Sequence, residues 1–186
     1  MSRISTVRIF KRHAALAMVI VAAVLAVLAG RATAAQDKYT VKVPDGLAFS
    51  EFSGFEDWSA IAVSQTGDTI EVILGNPAVI AAYRAGVPGN GKPFPDGVKM
   101  AKIHWTAKKS TEAPAPTTIP GPLHDILFEE RDSKRFPDSA GWGWAAFDYD
   151  ASSNTFKPRG TGVKCGLACH TIVAKKDYVF TAYGER

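Results

Sequence analysis

KCGLACHTIV, residues 164–173, holds both cysteines of the 186-residue chain, and a histidine follows the second directly. Three chemistries compete for Cys165, Cys169 and His170. A disulfide is the plainest, since exported cysteines oxidise. A bridge closing so short a loop contributes little stability and leaves His170 without a role. A zinc site would need a further ligand, from His104 or His124. Zinc ligands, however, usually come as two spaced pairs, and a Cys-His neighbour pair chelates one ion poorly. The third is haem attachment, with two thiols added to the vinyl groups and His170 on the iron. The spacing here is C-x-x-x-C-H, one residue longer than the usual C-x-x-C-H. On these ten residues all three readings stay open.

The other end of the chain bears on the compartment. Residues 1–13 carry Arg3, Arg8, Lys11 and Arg12 and no acid. An unbroken small and apolar run, AALAMVIVAAVLAVLAG, follows at 14–30, then Ala32-Thr33-Ala34. A basic start, an apolar stretch and a small-x-small exit predict a secretory signal peptide over 1–34, cleaved near Ala34. The run is marginal for a bilayer span, which takes roughly 20 residues; an uncleaved N-terminal anchor is the alternative. No twin-arginine pair is present, so general secretion is the expected route. Five basic residues and no acids precede the cut, so the net charge of +4 for the whole chain becomes −1 for the mature one. That gives no basis for nucleic-acid binding, which needs a clustered positive face. The mature 35–186 segment is long enough for one domain with its own core, and two cysteines are too few for a disulfide scaffold.

Within that segment YTVKV (39–43) reads as a short strand and TIEVIL (69–74) as a β-branched strand ending at Gly75. Asn76-Pro77 reads as an N-cap with proline at the first helical position, opening a helix PAVIAAYRA that stops at Gly86. Residues 87–97 form a Pro/Gly loop. VKMAKIHW (98–105) is a strand whose alternation places Val98, Met100, Lys102 and His104 on one face. Residues 108–122, with four prolines, read as a surface loop, 123–130 as a strand, 132–136 as a turn or short helix, and 141–149 as an aromatic strand. Trp142 and Trp144 share one face of it, and Phe147 and Tyr149 the other. The expected fold class is α+β: a single domain, mainly antiparallel β-sheet with a few short helices.

GNPAVIAAYRAG, KPFPDG with KMAKIHW, RDSKRF, GWGWAAFDYD, CGLACH and DYVFTAYG occur in this order. Together they resemble the cytochrome P-460 family, which includes the cytochromes c′-beta, over about 69–183. The resemblance implies a periplasmic, commonly homodimeric, mono-haem c-type cytochrome with one covalent haem c on an antiparallel β fold. It implies thioethers from Cys165 and Cys169 and an axial bond from His170. Members that oxidise hydroxylamine also join a lysine to the macrocycle, on the strand after a D-G turn. Lys102 falls at the matching position, and Lys99 lies on the opposite face. Two departures stand out. One is the longer haem motif. The other is the distal carboxylate of those members, where Leu127 stands here; Asp125 and Glu129 share its strand face.

Met100, His104 and His124 are the possible sixth ligands; an open site is the expectation. Phe94 is a candidate roof of the pocket, and Asp177 and Phe180 are expected to pack against the haem edge. The sequence therefore points to hydroxylamine oxidation (to nitric or nitrous oxide) with a periplasmic electron acceptor. The alternative is nitric oxide binding, as in the c′-beta members, and a simple electron carrier comes last. No membrane span is expected after cleavage.

Overall fold

The computed structural model describes residues 35–44, 46–160 and 162–185; the predicted signal peptide lies outside the described residues. Gln36–Arg186 forms one compact unit. Its framework is a six-stranded antiparallel meander whose strands lie in sequence order. The strands are β1 (Ser59–Thr66), β2 (Thr69–Gly75), β3 (Lys99–Lys109), β4 (Thr118–Arg131), β5 (Trp142–Asp150) and β6 (Thr155–Pro158). Two α-helices are described, α1 (Pro77–Arg84) and α2 (Val163–His170), with several 3-10 turns. This is the α+β, mainly antiparallel architecture expected from the pattern.

Each face of the sheet buries a different segment of chain. One face presents Ala101, Phe128, Ala145 and Phe147 to Val43, Leu47, Phe49, Phe52 and Phe55 of the N-terminal stretch. Phe49 lies 5.1 Å from Phe128 edge to face, and Phe52 stacks on Phe128 at 4.2 Å. The rings fill the space that a second sheet would fill in a sandwich. The other face presents Met100, Trp142 and Trp144 to α1, Phe94, Val98 and Val179. The candidate site lies on this second face.

α1 starts where the Asn-Pro signal placed it: the Asn76 carboxamide accepts from the Val79 N–H, and Pro77 opens the first turn. Gly75 is required there, because a Cβ would lie 2.4 Å from Val79 and 2.6 Å from Ile61.

Three sequence readings need correction. YTVKV is not a strand: the Asp37 carboxylate caps the 3-10 turn Lys38–Thr40, and only an isolated bridge from Lys42 to Ala48 follows. The expected 108–122 loop is shorter, confined to residues 110–117. β3 runs to Lys109 and β4 begins at Thr118, with Pro120 opposite Ala107. β2 pairs with β3 only as far as Thr106, and β5 pairs with β4 only from Asp125. The hairpin therefore projects beyond its neighbours, and a proline there removes no ladder bond to a third strand. Finally, β1 and β6 were not anticipated. In β1 only Ile61 is buried, so its alternation is faint.

Candidate functional site

Directly paired residues of neighbouring strands share a face, so the register fixes the floor of the site. Lys102 pairs with Ile73 and Leu127, Met100 with Glu129, and Glu129 with Trp144. The predicted face of β3 is thus correct, and Leu127 is the direct neighbour of Lys102.

α2 lies across β5 on this face. Cys165 and Cys169 are exposed, are not joined in a disulfide, and lie four residues apart on one side of the helix. Helical residues at that spacing have Cβ atoms about 5–6 Å apart, whereas a disulfide needs about 3.5–4.5 Å. A regular α2 therefore opposes the local bridge. It also answers the objection raised by the extra residue, because spacings of three and four both return to one helix face. Gly166 makes the docking close: a Cβ there would lie 2.3 Å from the Trp144 indole. Gly166→Ala would ordinarily stabilise a helix by up to about 1 kcal/mol. Here we expect a loss of about 1–3 kcal/mol from overpacking, measurable as a lower denaturant midpoint.

His170 ends α2. Its Nδ1 lies 2.6 Å from the Tyr178 carbonyl oxygen. A carbonyl only accepts, so Nδ1 carries the proton and Nε2 keeps its lone pair, the form that ligates a metal. The ring sits 5.0 Å from both Trp144 and Phe180. Burial, joined by the charge of Lys102, holds the His170 pKa below its ordinary value despite the bond to Tyr178. A neutral imidazole with a fixed tautomer, beside two thiols on one helix face, fits a covalently held haem. Cys165 and Cys169 would hold its edge and His170 its iron.

Glu129 is the carboxylate that the face brings to His170. Its Oε2 lies 3.7 Å from His170 Nδ1 and accepts from Trp144 Nε1 at 3.2 Å. Burial pushes its pKa up to about 7, against the lowering effects of Trp144 and Lys102. Tyr83 is pushed well above its ordinary value by burial and by Glu129. The Tyr83 hydroxyl donates to the Thr181 carbonyl and its ring stacks on Tyr183, holding the C-terminal segment that carries Tyr178 and Phe180.

Lys102 is held by Glu71, Nζ to Oε2 at 2.8 Å. Glu71 also meets His104 Nε2 at 2.9 Å, and His104 Nδ1 lies 2.6 Å from Asp125 Oδ1. Burial works to raise the Glu71 and Asp125 pKa values, but Lys102, Ser64 and His104 lower the first, and His104 and Arg159 lower the second. Both ring nitrogens of His104 are therefore engaged by carboxylates. Asp125 is tied to Arg159 at 3.0 Å and is not a loose base.

Phe94, the candidate roof, lies in the core. It is buried against Tyr83 and Trp142. Its N–H donates to the Asp177 carboxylate at 2.7 Å, and Arg131 donates to the same group at 3.0 Å. Asp96 accepts from the Ser133 N–H and hydroxyl. The PFPDG, DSKRF and DYVFT segments thus interlock around the site. Glu129 was named in the sequence only as a neighbour of Leu127, and its approach to His170 depends on how α2 docks.

An antiparallel meander thus carries a Cys-Cys-His helix on one face. A family model described as Cytochrome P460 matches residues 52–181, and the chain belongs to that family. No curated protein matches the chain. Among the described residues no helix is long and apolar enough to cross a membrane.

Proposed function

We propose that the chain is an exported mono-haem c-type cytochrome that oxidises hydroxylamine. Residues 1–34 would be removed on export to the periplasm, and residues 35–186 would form the working domain, paired as a homodimer as the family resemblance implies. The carrying observation is the His170 tautomer, set by the Tyr178 carbonyl, together with two thiols on the adjoining side of α2. A haem bound here would supply the redox centre, taking electrons from the substrate and passing them to a periplasmic acceptor.

The chain supplies the rest. Cys165 and Cys169 anchor, His170 ligates, and Trp144 and Phe180 keep water from the imidazole. Conversion of hydroxylamine to nitric oxide releases three protons and three electrons. Glu129, with its pKa raised to about 7 beside His170 Nδ1, is suited to exchange protons on the His170 side of the site. Lys102 is the candidate for a bond to the macrocycle, which would alter its electronics.

A second reading rests on one observation. Lys102 is flanked on its two neighbouring strands by Ile73 and Leu127, both apolar. Such a lining suits a neutral diatomic, and nitric oxide capture without turnover is the alternative. The carrier reading comes last, because His104 Nε2 is held by Glu71 rather than turned to a haem.

The test is the ferrous absorption spectrum of the protein exported from cells that mature c-type haem, followed by hydroxylamine turnover. A Soret band far to the red, lost in Lys102→Leu together with turnover while covalent haem is retained, is the expected result. An ordinary high-spin c-type spectrum with nitric oxide binding and no turnover would favour the second reading. An absence of covalent haem would overturn both.

A further inference from the structure

His104, His124 and Asp125 gather on the sheet face that also carries Lys102. Their ligating atoms lie within 4.8 Å of one another. Alternation would send the side chains of consecutive residues His124 and Asp125 to opposite faces. The β3–β4 register shows why they do not separate: His104 pairs with Asp125, and the next residue, Trp105, pairs with Leu123. His124 is thus the extra residue of a β-bulge, which re-aims a side chain locally. Its Nδ1 lies 3.0 Å from Asp125 Oδ2.

The second observation is a buried polar atom without a hydrogen bond. Asp125 is 2% exposed, and its Oδ1 accepts no hydrogen bond although His104 Nδ1 is only 2.6 Å away. On its other side His104 Nε2 meets the Glu71 carboxylate. A proton on Nε2 leaves a lone pair on Nδ1, aimed at the lone pairs of Oδ1. In that form the contact between two acceptors is relieved by a cation, either a second proton on His104 or a metal ion in its place. A carboxylate behind a histidine is also the arrangement that orients imidazole toward a metal.

From this juxtaposition we propose that His104, His124 and Asp125 form a binding site for a divalent transition metal of the zinc type, separate from the haem. Two imidazoles and one carboxylate select this class over magnesium or calcium. Three protein ligands leave a fourth position, open to water beside the exposed His124. Arg159 keeps its place on Oδ2, at 3.0 Å. Zinc bonds of about 2.0–2.1 Å place ligand atoms about 3.3 Å apart, so His104 and Asp125 separate slightly on loading. Glu71 binds both His104 and Lys102, so it would serve as a positioning residue linking the two sites.

The experiment is equilibrium dialysis of the untagged, exported holoprotein against Zn2+, after chelator treatment, with zinc counted per chain. One equivalent is expected. His124→Ala and His104→Gln should each weaken binding by tenfold or more, and Glu71→Gln by about 10–100-fold. His124 is exposed, so its variant should keep the wild-type melting temperature. No bound zinc would overturn the proposal. So would zinc that survives both histidine variants and disappears in Cys165→Ser/Cys169→Ser, because the thiols of α2 would then be the ligands. That second outcome also separates failure of this site from failure of haem attachment, which the haem absorbance of the same samples reports.

Discussion

Cys165→Ser/Cys169→Ser is expected to leave no haem on the polypeptide in a denaturing gel stained for haem peroxidase activity. Each single variant should retain one thioether and still stain, with a shifted haemochrome band. The expectation follows from α2. Its eight residues, Val163–His170, keep both thiols on one side, and Gly166 lets the helix lie flush on Trp144. Equal staining of the double variant and the wild type would remove the c-type assignment. The companion variant His170→Ala separates anchoring from ligation. It should stain like wild type yet lose the proximal imidazole, which a changed ferric spectrum would register. A double variant that folds, binds no haem, and leaves His170 against Tyr178 would show that α2 docks without its cofactor.

Glu129→Gln should have the second large effect, and its sign depends on pH. The carboxyl pKa is raised to about 7 from 4.5, chiefly by burial. The folded chain therefore binds the proton more tightly than the unfolded chain. Below about pH 4.5 both states are protonated and the buried group carries no penalty. As pH rises through the window from 4.5 to 7 the native state is progressively destabilised, and above 7 the penalty is full. At about 1.4 kcal/mol per unit, it reaches roughly 3 kcal/mol. Glu129→Gln, which cannot ionise, should thus be more stable than wild type at pH 8 and nearly equal to it at pH 4. Chemical denaturation at the two pH values measures the difference. Turnover of hydroxylamine, if Glu129 takes a proton, should lose its acid limb near pH 7 in the same variant. A variant that matches wild type at both pH values would mean that Glu129 is solvated.

The gain in stability and the change in the pH profile come from one cause. A carboxylate kept from water beside Trp144 and His170 is costly to the fold and useful to acid–base chemistry. Such conflicts between local stability and site chemistry are where function concentrates.

How much of this was legible in the sequence varies by element. The Asn76-Pro77 start of α1, the strand ending at Gly75 and the common face of Met100, Lys102 and His104 were readable, because each rests on spacings of one to four residues. The Cys-Cys-His segment by itself left disulfide, zinc and haem open, and the ordered motifs pointed to the Cytochrome P460 family that the match over 52–181 bears out. The prolines at 120 and 122 misled, because their tolerance in β4 depends on where the neighbouring strands stop, which no local pattern encodes. The faint alternation of β1 hid a strand that pairing with β2 stabilises.

The sequence by itself determined the class of fold and the atoms available for a haem, since periodicity and residue chemistry are properties of short segments. Only the tertiary structure decided which atoms meet. The tautomer of His170 depends on a carbonyl eight residues away, and the raised pKa of Glu129 on its burial in the packed fold. The pairing of His124 with Asp125 depends on a bulge set by β3. Desolvation and hydrogen-bond direction are set by neighbours distant along the chain, and those neighbours are assigned only when the sheet and α2 pack together.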